Sequence, residues 1–418
     1  MRRYEDLDEL QQKAIDDLYE HDERLALLET GFGKTVVELT VGEELMAAGV
    51  VTTPLVFAPL RVAQATWPNE LAQWGHLQHV RMVKWGGAPE EWEDSIWKRS
   101  RVLYGKRLWI EQRLPKIVDV RKRREAEGKL ADIVSEERRV NKELLRTPPL
   151  AGHWHVTSFE NAEWLLGLFK PGELPFDMVV VDETGRVARN PKSPRYKIMK
   201  KHIPLAKIRH GLNATPAPEG CLDLFGQVQM ICGSKLWSKS FYDWRQKFFV
   251  PEDYMGYSWR LQMGAFDMLM ADLNKVSFRA PATAYTKNAT TRQIEIDLPP
   301  KARAAYDEME KTMAVELAGL DLGDELDPVV AMSEAVASQK LRQICQGYLY
   351  QVDDKGVRTV HHLHDEKTEA LAELIDSMGR EPLLVAYGFD GDLENIRKIW
   401  KSVPYLGQGV SSAQAAEN

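Results

Sequence analysis

The sequence predicts an α/β protein of two units, each built on a parallel sheet and interrupted by helical insertions. Two observations predict it. Near the start, a short apolar run, a glycine-containing turn, a helix-like stretch and a second apolar run follow in order. That is the strand, turn, helix and strand succession of a βαβ unit. From Thr291 a similar order begins again, with RQIEIDL, then Pro299-Pro300, then a helical stretch from Lys301. With 44% apolar residues in 418, the chain has material for two sizeable cores.

The elements follow in order. Residues 7–20 (LDELQQKAIDDLYE) space their apolar side chains by three and four, which predicts an amphipathic helix. Arg24–Glu29 is a strand candidate that ends in a glycine turn, and 34–48 resumes helical spacing. Leu55–Phe57 is a buried strand stopped by Pro59, followed by a helix over 61–74. Residues 98–146 hold 16 Lys/Arg and 8 Asp/Glu, which predicts one or two long polar helices inserted into the unit. These form either a solvated hairpin or a nucleic-acid contact. His155–Ser158 and Met178–Val181 read as short strands, and Arg209–Leu212 leads to a turn at Thr215-Pro216. Residues 219–280 are aromatic-rich and mostly helical in pattern; the aromatics of 237–249 either pack between helices or stack on bases. Helices are expected over 334–345 and 366–378, and a strand over Pro382–Tyr387. The resulting division is 1–218 with its insertion at 98–150, a helical 219–288, and a partial second unit at 289–418.

Composition excludes several classes. A balance of 55 basic against 62 acidic residues, net −7, excludes a wholly basic nucleic-acid binder but not a local basic face. Residues 186–209 are such a face, with nine Lys/Arg and no Asp/Glu. Cys221, Cys232 and Cys345 are too few and too scattered for a disulfide framework or a zinc site. His361, His362 and His364 lack Cys or carboxylate at ligand spacing and read as a surface turn. No apolar run approaches the length of a membrane span, and MRRYEDLDE lacks the apolar core of a signal peptide, so an intracellular protein is expected.

Three motifs carry chemistry. Gly31-Phe32-Gly33-Lys34-Thr35 stands between an apolar run and a helix. Glycines let backbone N–H groups turn onto a phosphate at a helix N-terminus, Lys34 reaches the β/γ-phosphates, and the Thr35 hydroxyl ligates Mg²⁺. The full pattern wants glycine at position 28, where this chain has Leu28. Phe176–Glu183 (FDMVVVDE) is an apolar run ending in two carboxylates. Asp182 suits the Mg²⁺ shell and Glu183 the activation of water. Leu212-Asn213-Ala214-Thr215-Pro216 is a polar turn, 30 residues beyond Asp182, that can couple the nucleotide to a neighbouring domain.

On these motifs the chain resembles the superfamily II helicases, and within them the Snf-type DNA-dependent ATPases, in particular their compact phage and bacterial members. The resemblance runs from about residue 5 to the C-terminus, apart from the 98–146 insertion. It implies two RecA-like lobes, the second incomplete, with a helical protrusion at 219–288. Gln11, in QQKAI, matches the glutamine that reads adenine, and Leu28–Thr35 matches motif I. Ala58–Arg61 with Thr66–Pro68 matches motif Ia, and Thr157–Glu160 looks like motif Ib; both imply nucleic-acid contacts, at Arg61 and Thr157. Lys197, Lys200 and Lys201 are further candidates for phosphate contact. Asp182–Gly185 stands for D-E-x-H, and Gly185 lacks the side chain that often links this motif to motif III. Asn213, Ala214 and Thr215 stand in that coupling motif. Leu341–Cys345 (LRQIC) matches a second-lobe signature, and Leu383–Tyr387 with Asp392–Ile396 resembles motif IV.

The resemblance implies ATP and Mg²⁺ as cofactors, duplex DNA as partner, and a translocase in the cytoplasm of a bacterial or phage-infected cell, without a membrane partner. Motifs V and VI, the latter with its arginine fingers, are not found. That predicts a truncated or split version of a longer protein, whose second lobe a downstream fragment or another protein completes. The alternatives are a naturally short second lobe, and a nucleotide- and DNA-binding interaction module with little or no hydrolysis.

Overall fold

In the computed structural model, seven strands of the first unit lie side by side and all run in one direction. They are β1 (Glu23–Leu27), β2 (Pro54–Ala58), β3 (Met82–Trp85), β4 (Trp154–Ser158), β5 (Met178–Asp182), β6 (Ile208–Asn213) and β7 (Ser277–Arg279). Their spatial order is β3-β4-β2-β5-β6-β1-β7, with every neighbouring pair parallel. The structure describes residues 1–85, 96–146, 149, 151–218, 220–253, 258–280, 291–312, 314–315, 329–330, 334–352, 358–379 and 383–406. The chain divides into two units, Met1–Asn288 and Ala289–Asn418.

A parallel sheet needs both faces covered, so its central strands are apolar throughout. Alternate residues of β2 and β5 then face opposite layers. Leu55, Phe57, Val179 and Val181 join one core, together with α6 (Ala162–Gly167), α8 (Pro194–His202), α9 (Asp223–Ile231), α10 (Phe241–Phe248) and α11 (Ala265–Lys275). Val56, Ala58, Met178 and Val180 join the other, under α1 (Glu9–Glu20) and α2 (Lys34–Ala47).

The 98–146 insertion is a helical hairpin, α4 (Ile96–Arg113) against α5 (Val120–Leu144). Trp97 anchors it by packing on Trp85 of β3, with ring centroids 4.6 Å apart. Ser100 Oγ donates to Asn141 Oδ1 at 2.6 Å and accepts from Trp164 Nε1 at 3.0 Å. Most aromatics of the stretch after residue 219 pack within the first unit's core, while Tyr242 and Phe266 are exposed. Phe225, Trp237, Trp244, Phe248 and Phe249 are all buried, and Trp244 lies 5.0–5.8 Å from the other four rings. That places these five between helices and not on bases. The same stretch ends in β7, a strand its helical pattern did not predict.

In the second unit, helices span Pro300–Thr312, Glu334–Gln346, Glu366–Met378 and Asp390–Ile399, and Tyr348–Val352 pairs antiparallel with Arg358–His362. Met309, Ile344 and Leu349 form its small core. Two expected strands are absent there. Residues 292–298 and 383–387 are without strand pairing among the described residues, and Leu384 is 92% exposed. Alternating or apolar sequence makes a strand only where a hydrogen-bonding neighbour exists. His361 bonds Gln351, His362 bonds Asp365 and His364 bonds the Ile344 carbonyl. No helix among the described residues is long and apolar enough to cross a membrane.

One buried polar contact ties α2 to the sheet. His210 Nδ1 lies 2.7 Å from Glu38 Oε1, and Nε2 lies 3.1 Å from the His21 carbonyl, with both side chains fully buried. A carboxylate oxygen faces one ring nitrogen and a carbonyl the other, an arrangement that favours the doubly protonated ring. Burial alone would push the imidazole down; the Glu38 carboxylate, its hydrogen bond and the His21 carbonyl outweigh burial and raise it above 6.5. A raised native value gives stabilisation that is complete below the unfolded value, near 6.5, and lost as pH rises through the native one. We therefore expect the urea stability of the first unit, followed by tryptophan fluorescence, to fall above that pH. Glu38→Leu should flatten the fall and cost about 3 kcal/mol in weakly acidic buffer. Wild-type stability that is level with pH across that range would contradict the assignment.

Candidate active site

Because all seven strands run in one direction, every loop after a strand's C-terminal end opens on the same edge of the sheet. The order along the edge is β4, β2, β5, β6, β1. The turns after β2, β5, β6 and β1 bring Arg61, Asp182-Glu183, Asn213–Thr215 and Gly31–Thr35 to it in that order.

The β1 turn has the shape of a phosphate cradle. Gly31 and Gly33 have φ of 87° and 86°, in the left-handed region where glycine is favoured. A Cβ on Gly31 would meet nothing within 4 Å, so the loop is open above it. A Cβ on Gly33 would come within 2.6 Å of Gln11 Nε2. Phe32 is fully buried and pins the loop from below. Leu28 explains the departure from the glycine pattern. Its backbone N–H donates to the Asn213 carbonyl at 3.0 Å as a continuation of the β1–β6 ladder, and its side chain is buried, so position 28 needs no glycine.

Lys34 opens α2 and bridges the loop. Its Nζ donates to the carbonyls of Leu28, at 3.1 Å, and Glu29, at 3.2 Å. Burial pushes its pKa down, while Asp182 and Glu183 pull it up. Gln11 ties α1 to the same loop. Its Nε2 donates to the Phe32 carbonyl at 2.7 Å, and its Oε1 accepts from the Asp8 N–H at 3.0 Å.

Asp182 ends β5 and is 6% exposed. Burial pushes its carboxyl up to about 6, against the pull of the Trp67 indole, which donates to Oδ2 at 3.0 Å. Trp67 opens α3 (Trp67–Gln73) and is fully buried. The sequence reading placed it in a nucleic-acid loop and missed this contact, which joins residues 115 apart. Glu183 has φ 57° and is the one non-glycine with positive φ among the described residues. Such a conformation costs of order 1–3 kcal/mol and persists only where the surroundings enforce it.

Thr184 opens the short α7 (Thr184–Ala188), and its hydroxyl donates to Gln227 Oε1 at 2.8 Å. Asn213 Nδ2 donates to the same oxygen at 2.6 Å, and Asn213 Oδ1 accepts from the Thr215 N–H at 3.2 Å. Ala214 is half-buried and Thr215 exposed. Nothing in the pattern of α9 marked Gln227, which is one of two buried glutamines of that helix, with Gln229.

The nucleic-acid candidates divide. Arg61, Lys197 and Lys201 are exposed. Lys200 is half-buried, with its Nζ 5.7 Å from the centre of the Phe225 ring, and burial lowers its pKa. Thr157 is a correction: it is fully buried, and its hydroxyl donates to the Trp85 carbonyl and accepts from Asn161 Nδ2, so it is closed to a phosphate. Arg209, one of the nine positive residues of 186–209, is also buried and donates to the Ile231 and Ala206 carbonyls. In the second unit, Arg342 is exposed on its helix, while Asp392 accepts from the Gly388 and Phe389 N–H groups and serves as a helix cap.

The chain is similar to several known proteins. Protein p41 of Acyrthosiphon pisum secondary endosymbiont phage 1 is 28% identical over 385 residues, which cover 88% of this chain and 69% of p41. Among solved structures, the Sulfolobus solfataricus SWI2/SNF2 ATPase core in complex with dsDNA matches at 18% identity and TM-score 0.44, covering 99% of this chain and 74% of that one. The UvsW helicase of bacteriophage T4 matches at 10% identity and TM-score 0.31, covering 54% and 57%. The family model of the SNF2-related domain matches residues 11–348. With well over half of its length matched by that model, the chain belongs to the SNF2-related domain family.

Proposed function

We propose that this chain is an ATP-dependent, DNA-stimulated motor that moves along duplex DNA. The observation that carries the reading is the meeting, at one sheet edge, of Lys34 in an open glycine loop with Asp182 and with Glu183 held in a strained turn. The donor set suits a nucleotide with its magnesium ion: Thr35 and Asp182 would hold the ion, and the loop N–H groups the phosphates. A bound magnesium ion supplies charge neutralisation on the phosphate oxygens. Lys34 then exchanges the Leu28 and Glu29 carbonyls for phosphate oxygen. Glu183 accepts the proton of the attacking water. The exposed Lys197 and Lys201 on α8, in a stretch without carboxylates, support contact with a nucleic-acid backbone.

A second reading is a nucleotide- and DNA-binding module with little hydrolysis. It is favoured by the lack of an arginine motif after LRQIC, which leaves Arg342 as the motif-borne arginine of the second unit. An arginine finger is worth about 10³–10⁵ in rate. Both readings place binding in the first unit.

Lys34→Ala should abolish nucleotide binding or turnover. Glu183→Gln should retain affinity and lose hydrolysis, because the amide cannot take up a proton. Equilibrium binding of a fluorescent ATP analogue and phosphate release check both; unchanged affinity in the Lys34 variant removes the site assignment.

DNA affinity should fall steeply with salt, each phosphate contact adding about 0.9 to the slope of log affinity against log salt. Lys197→Glu with Lys201→Glu should weaken binding to all sequences alike. A flat salt response, or a change in sequence preference alone, contradicts backbone contact. Lys200→Glu should in addition lower thermal stability, because its ammonium lies over Phe225.

Steady-state turnover separates the two readings. On the first reading duplex DNA should stimulate robust turnover by this 418-residue chain; on the second the chain should bind ATP·Mg²⁺, hydrolyse it slowly and respond little to duplex DNA. Robust DNA-stimulated turnover by the same chain would eliminate the second reading and require an arginine within these residues.

A further inference from the structure

Gln227 is 2% exposed, and its side-chain amide is fully used. Oε1 accepts from Thr184 Oγ1 at 2.8 Å and from Asn213 Nδ2 at 2.6 Å. Nε2 donates to the Pro216 carbonyl at 2.5 Å and to the Asp223 carbonyl at 3.0 Å. Two lone pairs and two N–H groups are the whole capacity of an amide, so the orientation is fixed. Flipping it would set a donor against Thr184 and Asn213 and an oxygen against two carbonyls.

Three of these bonds join two loops that no covalent path connects closely, and the fourth ties the amide to α9 itself. Thr184 follows Glu183, whose left-handed φ of 57° needs enforcement from outside the turn. Asn213 and Pro216 belong to the turn after β6, and Asn213 Oδ1 holds the Thr215 N–H. A direct link from position 185 is closed, because a Cβ on Gly185 would lie 2.7 Å from Asn213 Nδ2. The path therefore runs one residue earlier, through the Thr184 hydroxyl, and turns at Gln227.

We infer that Gln227 is the positioning residue that transmits the state of the Asp182-Glu183 turn to the turn at Asn213–Pro216. The inference rests on reading Gly31–Thr35 with Asp182 and Glu183 as the nucleotide site. A displacement of Glu183 moves Thr184, and Gln227 passes it to Asn213 and Pro216 because none of its four bonds has a spare partner.

Backbone amide exchange, measured with and without Mg²⁺ and the non-hydrolysable analogue adenylyl imidodiphosphate, tests the inference without requiring turnover. In the wild-type chain the analogue should slow exchange in residues 31–35 and, about tenfold, at the Thr215 amide. Gln227→Leu and Thr184→Val should keep the slowing at 31–35 and reduce that at Thr215 to within about twofold. Thr184→Val removes one hydroxyl of an isosteric pair and serves where the leucine variant fails to fold. A purely structural role would shift exchange equally with and without the analogue, and so leave its effect intact. The inference is overturned if both variants retain the tenfold effect, or if wild-type Thr215 does not respond while residues 31–35 do. If residues 31–35 do not respond in the wild-type chain, the nucleotide-site reading itself fails and takes the inference with it.

Discussion

The pairing of β1 with β6 is the interaction on which the site depends. It sets Leu27 opposite Asn213 and continues one step further, through the Leu28 N–H to the Asn213 carbonyl. The glycine loop and the polar turn after β6 thus leave the sheet as neighbours. On the other side of β6, Asp182 stands opposite Leu212. A slip of one residue in either ladder would turn the side chains of the slipped strand to the opposite face and separate Lys34 from Asp182. The two apolar layers hold the register, since Val179 and Val181 belong to one and Met178 and Val180 to the other.

Polar side chains then do, inside this frame, what the apolar layers cannot. Gln11, Trp67 and Gln227 each connect a loop of the site to an element outside it, and Trp67 and Gln227 are buried. A buried donor or acceptor left unpaired costs about 1–3 kcal/mol, so each such residue fixes one geometry and resists alternatives. The Glu38–His210 contact beneath α2 belongs to the same set, with Glu38 Oε2 left without a partner among the described residues.

Much of the first unit was legible in the sequence, for physical reasons. Its strands β2 and β5 are nearly continuous apolar runs because both faces are covered, and Gly31–Thr35 and Asp182-Glu183 follow apolar runs with residues that chemistry, not packing, explains. The parts that were not legible depend on distant partners. β7 is three residues long and indistinguishable from the end of α11. The burial of Thr157 follows from the β3 and β2 neighbours and not from its own segment. Trp67 reads as an ordinary aromatic until β2 and β5 are placed side by side, and Gln227 as a stray polar residue. In the second unit the error has the opposite sign: 292–298 and 383–387 have strand-like sequence but no neighbour to pair with among the described residues.

Lys34 in its bridge between the Leu28 and Glu29 carbonyls has a thermodynamic consequence. The loop is already ordered around its own lysine, so a ligand arriving there has little chain to freeze. On the proposed reading, capture becomes an exchange of acceptors, carbonyl oxygen for phosphate oxygen. Affinity then reflects the difference between two acceptors of one cation, with a small entropic cost, and discrimination should favour ligands with more negative charge at the far end of the phosphate chain.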